Sequence, residues 1–332
     1  MRSVTRGAAA LAALCALAAG CGNYSTEDLR FLSALPRRED LRVTIPASTG
    51  AGPAALTGLT AATAACGSPG AATVWQWAKP TSDDLNAGVS WIIGLIDQVR
   101  THPPTHRGDD SRRWGPFDDD KHPGHELQVV IDRSWPAGAD GPPAYAYRFE
   151  GRAKGDAAFT PLIVGDFRGA SASHGDGDVA LDFEAFWTVG VANPDTPHGS
   201  MAIGYSRSSD PVTTDLNLLA APSGGFGAAA FEYLYSGWAS GIGAFDYKFT
   251  NTAGDVLEVR TGYDAAGAGR LRVTFTRRAD GATGTFDQCW DAGGCLVYVY
   301  DPMNFNGLTP TPPYTAGSAA ACATLPAGVG PF

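Results

Sequence analysis

The densest group of residues able to do chemistry lies between Trp114 and Glu126. There Asp118, Asp119 and Asp120 precede His122, His125 and Glu126. Carboxylates and imidazoles together are donors that a divalent cation takes, so Asp118, Asp120, His122 and His125 are the candidate metal ligands. Their spacing is not that of a calcium loop, because Pro123 stands where the turn glycine would fall if Asp118 were the first ligand. The other reading of the stretch is a solvated loop, pinned by Trp114 and Phe117, that leads into the first strand. His102 and His106 flank Pro103-Pro104, which excludes the helical i, i+4 geometry that places two histidines on one metal. Asp176 and Asp178 beside His174 read as a hairpin tip. Gly204-Tyr205-Ser206-Arg207-Ser208 lacks the second glycine of a nucleophile elbow. There is no phosphate loop, dinucleotide fingerprint or His-Glu-x-x-His. No catalytic residue and no cofactor is assigned.

Cysteine offers a different chemistry. Cys15 lies in an N-terminal apolar run and Cys21 stands at its end, which leaves Cys66, Cys289, Cys295 and Cys322. An even number in an exported chain reads as two disulfides. Cys289 and Cys295 flank Trp290-Asp291-Ala292-Gly293-Gly294, a turn-rich loop between strand-like runs. The expected bridge is therefore Cys289–Cys295 within one hairpin, with Cys66–Cys322 tying the N-terminal segment to the tail. Four buried thiols are the alternative.

Arg2 and Arg6 begin the chain, Ala8 to Ala19 form an apolar run, and Leu17-Ala18-Ala19-Gly20-Cys21 closes it. The run is too short and wrongly flanked to span a bilayer, and it reads as a secretory signal. Its ending resembles the lipobox of bacterial lipoproteins, although Leu17 stands one position further back than that family usually places it. The resemblance covers the signal alone. It implies cleavage after Gly20, a diacylglycerol on the Cys21 thiol and a fatty acyl group such as palmitate on the new amine. Gly22 and Asn23 follow, and no aspartate does, which by analogy with enterobacterial lipoproteins implies the outer membrane. An ordinary signal cut at Ala-Ala-Gly, with release of a soluble chain, is the alternative.

Removing the signal takes the formal net charge from -10 to -12, which argues against a nucleic-acid surface. Residues 21–70 read as anchor, short helix and Ala/Gly-rich tether. The short helix has Ser25 and Thr26 before Glu27 and Asp28, then Leu29, Phe31, Leu32 and Leu35, and it stops at Pro36. Part of 48–70 also reads as an Ala-rich helix. Residues 71–125 read as a long helix and the polar loop. That helix, 82–101, carries Leu85, Val89, Trp91, Ile92, Leu95, Ile96 and Val99 at three- and four-residue steps.

From residue 126 to 332 the apolar period is two. Tyr145, Tyr147 and Phe149 alternate with polar neighbours. So do Phe231, Tyr233 and Tyr235, and Phe245, Tyr247 and Phe249. Val179, Leu181, Phe183, Ala185 and Trp187 read as one more inner face, with Asp182 and Glu184 turned to water. About ten or eleven strands joined by short turns imply an antiparallel sheet. The expected fold is mostly β, a curled sheet or partly closed barrel with one amphipathic helix packed on it. The expected function is a non-enzymatic envelope lipoprotein that binds an apolar ligand or a protein partner on its aromatic face. A purely structural assembly component and a secreted hydrolase with a carboxylate or metal site are the alternatives.

Overall fold

The computed structural model describes residues 24–41, 66, 72, 86, 89–90, 92–94, 96–135, 141–171, 174–194, 196, 198–221, 228–303, 313–325 and 329. The signal, Cys21 and most of the Ala/Gly-rich segment lie outside the described residues.

Fifteen described strands form one antiparallel sheet in which each pairs with its neighbours in sequence. They are β1 (His106–Arg107), β2 (Ser111–Asp118), β3 (His125–Ser134), β4 (Ala144–Ala153), β5 (Thr160–Ser171), β6 (His174–Asp182), β7 (His198–Ser206), β8 (Val212–Ala221), β9 (Ala228–Gly237), β10 (Gly243–Asn251), β11 (Val256–Tyr263), β12 (Gly269–Thr276), β13 (Thr283–Trp290), β14 (Leu296–Asp301) and β15 (Tyr314–Gly317). β1 and β15 are its edges, so the sheet is not a barrel, nor is it strongly curled. This corrects the expected curled or partly closed form. Closure is only one way to cover an apolar face, and here helices cover it. The edges are two and four residues long, which limits the unpaired backbone they offer.

The two-residue period fixes the register. One inner row runs Ile131, Tyr147, Gly165, Val179, Ile203, Leu216, Tyr233, Tyr247, Val259, Val273 and Phe286, each directly opposite the next. All of these except the glycine are buried. The inner glycines make room for rings on the facing strand. Gly165 lies under Tyr147, Gly177 under Tyr205, Gly243 under Tyr263 and Gly269 under Trp290. A Cβ on Gly177 would sit 2.5 Å from Tyr205 Oη and 2.6 Å from the Asp166 carbonyl oxygen. Gly177→Ala should therefore destabilise by about 1–3 kcal/mol through overpacking. Gly204 has nothing within 4 Å of such a Cβ. Gly204→Ala should be neutral or stabilise by about 0.5 kcal/mol. Paired urea titrations decide this, and equal losses would mean that the rings do not rest on the glycines.

Three helical segments cover the inner face. α1 (Thr26–Leu32) starts with a full capping box between Ser25 and Asp28 and buries Phe31 and Leu32. α2 (Arg38–Leu41) buries Leu41 and Asp40. The long helix is helical at 86, 89–90, 92–94 and 96–100, and it buries Val89, Ile92, Ile93, Ile96 and Val99. Trp91, Leu85 and Leu95 lie outside the described residues. Arg100 donates to the carbonyls of Leu35 and Pro36 at 3.0 and 3.3 Å, and Tyr24 Oη donates to the Arg100 carbonyl at 2.9 Å. The short helix expected in the anchor segment is thus packed into the body.

Three expectations are corrected. Trp114 does not pin a loop: it is a buried inner residue of β2, opposite Val129, and its Nε1 donates to the His102 carbonyl at 2.8 Å. The strand through Val179 stops at Asp182, whose carboxylate accepts from the N–H groups of Glu184 and Ala185 and caps α3 (Phe183–Val189). Gly190, at φ 86°, ends that helix. Phe183 is buried in a helix rather than a strand, and Trp187 is exposed.

The third correction concerns the disulfides, which are Cys66–Cys295 and Cys289–Cys322, with Cα separations of 5.4 and 5.6 Å. The hairpin itself forms, as β13–β14. In it Cys289 stands opposite Tyr298, while Cys295 lies in the turn, where its carbonyl accepts from Asp291 N–H. The two cysteines never face each other, so each bridges outward.

Candidate functional site

In an antiparallel meander the turns alternate between two ends of the sheet. The β1–β2, β3–β4, β5–β6, β7–β8, β9–β10, β11–β12 and β13–β14 turns share one end. In the last inner row at that end, Val212 faces Gly237, Gly237 faces Gly243 and Gly243 faces Tyr263. Here the Tyr235 and Tyr263 hydroxyls take the space that side chains at the two facing glycines would need. Above them lies a cleft of about 650 Å³.

Each wall of the cleft is a turn. In the β9–β10 turn, Trp238 N–H donates to the Ile242 carbonyl and Gly241 N–H to the Trp238 carbonyl, both at 2.9 Å. The β7–β8 turn contributes Arg207, Ser208, Ser209 and Asp210. Asp210 Oδ1 accepts from Ala239 N–H at 3.0 Å and ties the walls together. On the floor, the Tyr235 hydroxyl rests where a Gly237 side chain would start, and the Tyr263 hydroxyl does the same at Gly243.

Buried phenols and engaged charges set the electrostatics of the cleft. Burial, and then the neighbouring Tyr235 phenol, push the Tyr263 hydroxyl far above the ordinary tyrosine range. Burial does the same to Tyr233, which lies beside them on β9. These phenols stay neutral at physiological pH. Arg207 donates to the carbonyls of Ser206, Thr213 and Asp40 at 3.0, 2.9 and 2.8 Å, so its charge holds α2 on the sheet. The Ser208 hydroxyl is committed to Asp176 at 2.6 Å. Burial alone would raise the Asp176 carboxyl, but the hydroxyls of Ser206 and Ser208 outweigh it and hold it below the usual range. The rest of the lining includes Val212, Trp238, Ile242 and the His174 imidazole, over the Tyr235 and Tyr263 hydroxyls.

The residues singled out from sequence lie elsewhere. Asp118 pairs with Lys154 at 2.8 Å, and His122 Nδ1 sits 2.7 Å from the Asp119 carboxylate. His125 Nδ1 lies 3.2 Å from the His122 carbonyl. Asp120 is in the β2–β3 turn, at the end of the sheet opposite the cleft. Among the described residues no group of three His, Cys, Asp or Glu is arranged to hold a metal. Asp178 Oδ1 accepts from Asp166 N–H at 3.1 Å, and Glu184 meets His198 Nδ1 at 3.0 Å. Cys21 lies outside the described residues.

Sequence reasoning named the aromatic face but not the cleft over it. A signal was present, since Gly237 and Gly243 bracket the Trp238–Ile242 turn at inner positions of the period in which Tyr235 and Phe245 are also inner. No family model, no curated protein and no solved structure matches this chain.

Proposed function

We propose that the protein is a non-enzymatic, lipid-anchored component of the cell envelope whose sheet binds an apolar ligand in the Tyr235–Tyr263 cleft. The observation that carries this is the cleft between the β7–β8 and β9–β10 turns, whose floor is formed by Tyr235 and Tyr263 lying over Gly237 and Gly243. A volume of about 650 Å³ suits a small ligand. Two disulfides fit an oxidising, extracytoplasmic compartment. The lipobox-like ending at Cys21 supports attachment to a membrane, with the outer membrane as the expected one. The membrane, through that anchor, and the apolar ligand are the partners of this reading.

The test is titration of the mature chain with a dansyl-labelled fatty acid. Saturable binding is expected, and Val212→Trp, which fills the cleft from its wall, should weaken it about tenfold or more, or ~1.4 kcal/mol. Undiminished binding by the folded variant would move the site elsewhere. No binding by either protein would favour a purely structural assembly component, for which the filled inner rows already speak.

A further inference from the structure

The chain leaves its proposed anchor and enters the folded body almost at once. Cys21 precedes Tyr24 by three residues, and three extended residues reach at most about 11 Å. Tyr24 is already fixed through its hydroxyl to the Arg100 carbonyl, and Ser25 caps α1. α1 is bound in turn to the cleft-bearing end of the sheet. Its Glu27 pairs at 3.0 Å with Arg133, whose own N–H donates to Asp110 in the β1–β2 turn at 2.8 Å. Arg133 also lies 5.5 Å from the ring of Trp135, which begins the β3–β4 turn. At this point two large apolar side chains are exposed among charged neighbours such as Arg30 and Asp110: Leu29 on α1 is 55% exposed and Trp135 is 58% exposed. A tryptophan so placed suits the boundary between headgroups and acyl chains.

The two ends of the sheet differ in charge. At the α1 end, the turns 238–242, 264–268 and 291–295 contain no lysine or arginine, the β7–β8 turn carries Arg207 with its guanidinium bound to three carbonyls, and the β1–β2 turn carries Asp109 and Asp110. The aspartates that open two of them cap their own turns: Asp264 Oδ1 accepts from the N–H groups of Ala266 and Ala268, and Asp291 Oδ1 from those of Gly293 and Cys295. At the far end, the turns carry Lys121, Lys154, Arg277 and Arg278.

We propose that the α1 end of the sheet lies against the lipid bilayer that holds the Cys21 acyl chains, with Trp135 and Leu29 at the contact and the cleft on the membrane side. The proposal rests on acylation of Cys21. The far, charged end then faces water.

The experiment uses the full acylated chain in vesicles of phosphatidylethanolamine and phosphatidylglycerol that contain a phospholipid spin-labelled near its headgroup. Tryptophan fluorescence is quenched where a ring meets the label. Trp135→Phe should remove a larger share of the quenchable signal than Trp187→Phe, because Trp187 is an exposed residue of α3 at the opposite end. Equal losses, or a larger loss with Trp187→Phe, overturn the orientation. Intact mass of the same sample separates the two failures. Acyl mass with the wrong quenching pattern sinks the orientation alone, whereas absence of acyl mass refutes the anchor and takes the orientation with it.

Discussion

Replacing Cys66 and Cys295 together with serine should lower the unfolding free energy by about 5 kcal/mol, because the bridge closes a loop of 229 residues. Replacing Cys289 and Cys322 should cost less, about 3.5 kcal/mol, since that loop spans only 33 residues. The difference follows from how much freedom each bridge removes from the unfolded chain. The two loops overlap, because Cys289 lies between Cys66 and Cys295, so removing both bridges should cost less than the two losses added. Domains are commonly stable by only about 5–15 kcal/mol, so loss of the longer bridge is a large fraction of the whole. Guanidinium titrations provide the measurement, with the m-value expected to rise as the uncrosslinked unfolded chain exposes more surface, and peptide mapping without reductant verifies the pairing. A larger loss from the shorter loop would show that chain entropy is not what these bridges supply.

The sheet was legible because its signal is local and repeated. Tyr145-Ala-Tyr147-Arg-Phe149 and Phe245-Asp-Tyr247-Lys-Phe249 alternate without ambiguity, and both form strands with those rings inward. β13 was read only as one arm of the Cys289–Cys295 hairpin, without bounds, because Thr283-Gly-Thr-Phe-Asp-Gln-Cys-Trp290 places buried residues on both faces and its period is blurred. β2 was missed for a related reason. Gly115-Pro116 breaks the ladder between Trp114 and Phe117, and the acids that follow look like a solvated loop. Phe183 to Trp187 misled in the other direction. Its apolar positions satisfy a two-residue period, but Asp182 caps the next turn and a helix buries Phe183 and Phe186 instead.

Neither the disulfide pairing nor the cleft could be read at short range. Cys289 and Cys295 are close in sequence, yet which residue faces Cys289 depends on the register shift between Cys289 and Trp290. The cleft depends on Gly237 facing Gly243, and hence on how two strands align across a turn. The role of α1 was similarly hidden. Asp28 reads as an acid in the first turn of a helix, which its position does explain. Its partners, Arg107 and Arg112, lie about eighty residues away.

Those partners make Asp28 the most consequential charge among the described residues. Its side chain is fully buried, and Arg112, at 2.7 Å, is only 8% exposed. Arg107 adds a second contact at 3.0 Å, and the Ser25 backbone N–H donates to Asp28 Oδ2 at 2.9 Å while the Ser25 hydroxyl accepts from the Asp28 N–H. The Arg112 guanidinium also lies 4.6 Å from the ring centroid of Phe31, so the pair and the core share one joint. Asp28→Asn leaves that guanidinium buried against a neutral amide and should cost about 3–5 kcal/mol. Asp280→Asn, which removes an ion pair exposed on both sides, should cost far less, because water screens that pair. Acid should reproduce the first effect. Burial would raise the Asp28 carboxyl, but the Ser25 N–H, Arg112 and Arg107 overcome it and lower its pKa from 3.8 to about 2. A depressed folded value means that the unfolded chain takes the proton first. The stabilisation is therefore whole above the unfolded pKa and drains away as pH falls from about 4 toward 2. Unfolding free energies measured across that window should fall more steeply for the native chain than for Asp28→Asn. Parallel curves would show that the Asp28–Arg112 pair does not hold α1 on the sheet.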